Sequence, residues 1–76
     1  MLIPGHPRLS ADPEVCGGRP TIKGTRMRVT DIVGGLAAGD SMEEILQDFP
    51  HLTREDIQAC LAYAAETASH PFKQAA

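Results

Sequence analysis

Ser41-Met42-Glu43-Glu44 sets a helix start that little else in this chain can override. The serine hydroxyl can accept from the Glu44 amide while the Glu44 carboxylate reaches back to the serine amide, so two donors orphaned at a helix end are satisfied reciprocally. Met42, Ile45, Leu46 and Phe49 then fall at i, i+3, i+4 and i+7, the spacing of one buried stripe, and Pro50 ends the run. After the short Pro50-His51-Leu52 turn, Thr53 is placed to cap another helix with Glu55 and Asp56 in its first turn. Ile57, Cys60, Leu61 and Ala64 repeat the apolar spacing. Two helices joined this closely fit a helix-turn-helix unit, although short helical hairpins are also common in proteins that never touch DNA.

A further helix is predicted upstream. Thr30 is a good N-cap, Asp31 suits the first turn, Ile32, Val33, Leu36 and Ala37 make the stripe, and Gly39 is a natural residue just past the C-terminus. Gly34-Gly35 inside it costs about 1 kcal/mol per glycine against alanine. Close packing of this helix on another backbone is the expected reason, and close approach to a nucleic-acid backbone is the alternative.

The segment from Gly17 to Val29 gathers Arg19, Lys23, Arg26 and Arg28 beside glycines and a proline. It reads as a basic hairpin over Arg19 to Val29 with its turn at Lys23-Gly24-Thr25, where Gly24 takes a positive φ at little steric cost. Alternation puts Ile22, Met27 and Val29 on one face and Arg26 and Arg28 on the other. Residues 1–8 hold Pro4, Gly5 and Pro7 and are expected to form a flexible lead without regular structure. Leu9 to Val15 allows a short edge strand, limited by Pro13. A single domain is expected over residues 9–66, followed by a flexible tail over 67–76 in which Phe72 beside Lys73 can anchor a partner.

Seventy-six residues allow one domain, and a core of this size rarely supplies more than about 3–5 kcal/mol, so a homodimer or a bound partner is expected. With no Trp, one Tyr and two Phe, that core must consist mostly of Ile, Leu, Val, Ala and Met. The formal net charge of −3 conceals a split, with five basic residues against two acids in residues 1–30 and two against eight in residues 31–76. Attraction to phosphates or to an acidic protein therefore has to come from the N-terminal third. Cys16 and Cys60 stand far apart, and neither they nor His6, His51 and His70 show the short ligand spacing of a structural zinc site, so no disulfide, metal or cofactor is expected. No apolar run approaches a membrane span, and a cytoplasmic location without membrane association is expected. No Ser-His-Asp, Cys-His or paired-carboxylate arrangement stands out, so neither catalysis nor a small-molecule substrate is expected.

Val15-Cys16-Gly17-Gly18-Arg19-Pro20-Thr21-Ile22-Lys23-Gly24-Thr25-Arg26, with Val29, Gly39, Glu43-Glu44-Ile45, Phe49-Pro50, Leu52-Thr53, Glu55-Asp56-Ile57 and Ala62-Tyr63-Ala64, resembles the short prokaryotic proteins grouped as domain of unknown function 433. The resemblance spans about residues 9–66. It implies a mainly α, homeodomain-like three-helix bundle with a short N-terminal β-hairpin. It also implies an antitoxin role beside a PIN-like ribonuclease toxin, and operator DNA, bound to repress its own operon, is expected as a second partner. Members often carry a proline or apolar residue where this chain has Arg28. Pattern and charge together nominate Arg19, Lys23, Gly24, Thr25, Arg26, Arg28, Arg54 and Gln58 for nucleic-acid or toxin binding, and Phe72 and Lys73 for toxin docking. A stand-alone DNA-binding regulator and a structural oligomerisation adaptor are the alternatives.

Overall fold

Pro4-Gly5 turns the chain back on itself immediately, setting β1 (Leu2–Ile3) antiparallel to β2 (His6–Ser10) with Ile3 opposite His6. The computed structural model describes residues 2–69. The segment expected to lack regular structure is thus the first half of a three-stranded antiparallel sheet, ordered β1-β2-β3, in which β3 (Thr21–Ile22) pairs with Leu9 and Ser10 of β2. The strand foreseen between Leu9 and Val15 ends at Ser10 and lies at the centre of the sheet rather than at its edge.

The Arg19 to Val29 hairpin forms in reduced form. The Thr25 amide bonds to the Ile22 carbonyl at 3.0 Å and Gly24 takes φ +80°, a turn that an L side chain would strain. Its arms are held by the Ile22 amide on the Met27 carbonyl and the Val29 amide on the Pro20 carbonyl, with one isolated bridge between Thr21 and Arg28.

Helix α1 (Val29–Ala37) therefore starts two residues earlier than an N-cap at Thr30 requires. Arg28 occupies the cap position because the bridge to Thr21 keeps it extended, and its backbone N–H donates to the Asp31 carboxylate at 3.3 Å. At the other end Gly39 takes φ +109°, and the Gly39 and Asp40 amides close on the Leu36 and Gly35 carbonyls in a Schellman motif. Helix α2 (Met42–Asp48) has the expected capping box, with the Glu44 amide on Ser41 Oγ at 3.1 Å and the Ser41 amide on Glu44 Oε1 at 2.8 Å. Helix α3 (Arg54–Ala68) repeats it between Thr53 and Asp56 and runs two residues past the expected domain limit.

Leu9, Ile22, Val29, Ile32, Ile45, Leu52, Ile57 and Cys60 form one buried core drawn from the sheet and all three helices. The predicted stripes hold in part. Ile45, Ile57 and Cys60 are buried, whereas Phe49 at the end of α2 and Leu61 on α3 are 36% and 40% exposed. The paired glycines separate in the same way. A Cβ on Gly35 would lie 3.1 Å from the Asp40 carboxylate, a side chain, while one on Gly34 would meet nothing within 4 Å, so the expected packing on another backbone is found at neither and only Gly35 is crowded. Among the described residues no helix is long and apolar enough to cross a membrane.

Candidate functional site

The basic segment is a built loop. Val15 closes a turn on the Asp12 carbonyl, and Cys16, Gly17 and Gly18 then run left-handed at φ 51°, 67° and 85°, which swings Arg19 to the surface. The Lys23 amide bonds to the Arg8 carbonyl at 2.8 Å, fastening the loop to β2. Thr25 braces the tip twice, its hydroxyl donating to the Ile22 carbonyl at 2.8 Å and accepting from the Met27 amide at 3.0 Å. Among the candidate residues, Gly24 and Thr25 thus shape the turn. Beneath it lies a groove of about 400 Å³ lined by Ser10, Asp12, Val15, Thr21, Thr25 and Arg26.

The cations of the described residues fall into two sets. Arg8 meets Asp56 at 3.1 Å, Arg28 forks onto Asp31 at 3.2 and 3.0 Å, and Arg54 meets Glu43 at 3.4 Å. Arg19, Lys23 and Arg26 are exposed and make no ion pair among the described residues. The guanidinium of Arg28 holds the Asp31 carboxyl below the ordinary carboxylate range, a sign of mutual neutralisation. The concentration of Arg19, Lys23, Arg26 and Arg28 expected from sequence therefore reduces to its first three members.

The start of α3 has the opposite character. Arg54 is held by Glu43 and also touches the Met42 sulfur, while Glu55 and Asp56 stand beside it and Gln58 is exposed one turn on. A helix end ringed by carboxylates repels phosphate. Phe72 and Lys73 lie outside the described residues.

Two contacts had no signal in the sequence. His6 is buried, its Nε2 lies 2.9 Å from Glu66 Oε2, and its ring stands edge-on to Tyr63 with centroids 5.2 Å apart. With Arg8 on Asp56, this ties β2 to both ends of α3. Partners 48 and 60 residues apart leave no local spacing to read.

The architecture is that of a small, mainly helical domain with a short antiparallel sheet at its N-terminus and a basic loop between the two. Residues 9–64 match the family described as Protein of unknown function (DUF433), and the chain belongs to that family. It is 38% identical over 56 residues to the uncharacterized protein y4eO of Sinorhizobium fredii (strain NBRC 101917 / NGR234), a match covering 74% of this chain and 25% of that relative. The chain thus spans about a quarter of the length of the curated relative it matches. A crystal structure of a DUF433 member protein from Anabaena variabilis superposes with a TM-score of 0.77 at 33% identity, covering 80% of this chain and 60% of that one.

Proposed function

We propose that this domain is the antitoxin-type partner of a PIN-like ribonuclease, and that the same basic loop engages operator DNA. The observation that carries the proposal is the trio Arg19, Lys23 and Arg26, exposed and without an ion pair among the described residues, on a loop whose backbone is braced by Thr25 and fastened to β2. PIN-like nucleases hold metal ions with clustered carboxylates. A guanidinium entering such a centre makes charge-assisted hydrogen bonds to those acids and excludes both the metal and the phosphate of the RNA. DNA phosphates are a second anionic target of the same cations. The acidic start of α3 faces away from either role, which makes the loop, rather than this helix, the contact element.

The test is the triple variant Arg19→Ala, Lys23→Ala, Arg26→Ala, assayed for inhibition of a cognate PIN-like ribonuclease and for operator binding across a salt series. The variant should lose inhibition, and its log K against log[salt] slope should flatten by about 0.9 for each phosphate-contacting cation removed. Equal inhibition together with identical DNA affinity at every salt concentration would show that the loop only supports the fold.

A further inference from the structure

The groove of about 400 Å³ beneath the basic loop carries charges of both signs. Asp12 lines it from the turn after β2 and Arg26 from the hairpin tip, yet neither makes an ion pair with the other or with any described residue. Both stand on braced backbone. The Asp12 carbonyl accepts from the Val15 amide at 2.8 Å and its Oδ1 from the Glu14 amide at 2.9 Å. The Arg26 carbonyl accepts from the Cys16 thiol at 3.5 Å, next to the doubly bonded Thr25. Thr21 also lines the groove, although only 3% of it is exposed, and its hydroxyl makes one long donation, at 3.4 Å, to the Ser10 carbonyl. A hydroxyl that donates in this way keeps an oxygen able to accept. Val15 supplies the apolar part of the lining.

These groups select a class of ligand. Arg26 calls for an anion, best a carboxylate that its planar fork grips through two parallel bonds. Asp12 and the Thr21 oxygen are acceptors, and together they call for a positively charged donor such as an ammonium. The volume lies near the lower end of the range of ligand pockets, about 300–1,000 Å³, which suits a small molecule. No aromatic side chain lines the groove, so a nucleotide base would find nothing to stack on. We propose that the groove binds a free α-amino acid with an aliphatic side chain. Its carboxylate meets Arg26, its ammonium lies between Asp12 and Thr21, and its side chain packs against Val15. The proposal does not rest on the antitoxin reading. Asp12 lies outside the cationic trio, so Asp12→Asn should lose the amino acid and still inhibit a nuclease, and either reading can fail alone.

Calorimetric titration of the full chain uses L-leucine, N-acetyl-L-leucine, which lacks the ammonium, and L-leucinamide, which lacks the carboxylate. L-leucine should bind with a Kd of about 1 mM or tighter, and each blocked probe at least tenfold more weakly. Asp12→Asn, which keeps an oxygen for the Glu14 amide, should abolish the preference for L-leucine over its N-acetyl form. Arg26→Gln should abolish the preference over L-leucinamide. Glu14→Gln removes the same charge as Asp12→Asn from a residue that does not line the groove, and should bind L-leucine as wild type does. Absence of saturable binding up to about 10 mM L-leucine overturns the proposal, as does equal affinity of the wild-type chain for all three probes, and neither result depends on a variant folding. Wild-type preferences retained in Asp12→Asn overturn it as well.

Discussion

Cys60 is fully buried, and burial, followed by the nearby negative charge of Asp56, pushes its thiol up to about 11. Thiolate is the reactive form, so near neutral pH this side chain is a small inert hydrophobe, whereas Cys16 is only half-buried. A thiol reagent should add once to the folded protein, at Cys16, and twice in denaturant. Mass spectrometry reads the difference, and rapid double labelling of the folded chain would contradict it. Asp31 and Glu44 set the acid limb of stability. The first is held below its ordinary value by the Arg28 guanidinium, the second by the Ser41 amide and then the Ser41 hydroxyl. A carboxyl depressed in the folded state binds its proton more readily when unfolded, so its contribution is complete above the unfolded value, about 4, and is lost as pH falls through the folded one. The melting temperature should therefore decline on acidification below about pH 4, and less steeply in Asp31→Asn, Glu44→Gln.

Among the helices, α2 depends most on its cap, because seven residues make it too short to stand on propensity. Ser41→Ala should cost about 1 kcal/mol in urea melts. The glycines of α1 should diverge. Gly34→Ala places its methyl in open space and should stabilise by about 0.5–1 kcal/mol, while Gly35→Ala crowds Asp40 and should gain less or lose. Caps and turns of this kind were legible in the sequence because they couple residues three or four apart: Ser41 with Glu44, Ile22 with Thr25, and Gly39 with Leu36. The start of α1 was not, since it depends on a bridge between Thr21 and Arg28 formed only once the loop closes. Nor was β2. Prolines argue against a central strand, but Pro7 falls where the β1–β2 register slips between Ile3 opposite His6 and Leu2 opposite Ser10, so it interrupts no paired position.

Across the whole molecule, the sheet and α3 stand or fall together. His6 and Arg8 bind the two ends of α3, and Leu9, the next residue of β2, is wholly buried. Leu9→Ala should cost about 2–5 kcal/mol, comparable with the roughly 3–5 kcal/mol that a core of this size supplies. Its far-ultraviolet spectrum should show loss of the fold near body temperature, and a cooperative melt close to that of wild type would contradict that coupling. The site was half legible for the same reason as the fold. Composition located the basic segment, but which cations are neutralised depends on contacts such as Arg8 with Asp56 that only the folded chain makes.

That division between paired and unpaired cations is best tested by a charge-matched comparison. Arg19→Ala, Lys23→Ala, Arg26→Ala and Arg8→Ala, Arg28→Ala, Arg54→Ala each remove three positive charges from a chain of formal net charge −3, so the long-range field changes equally in both. With native helicity confirmed for each, calorimetry against a PIN-like ribonuclease of the proposed kind should show the first variant weakened at least tenfold, about 1.4 kcal/mol, and the second by less than about threefold. Equal losses in the two variants would mean that net charge alone governs association and that the loop is not the binding face.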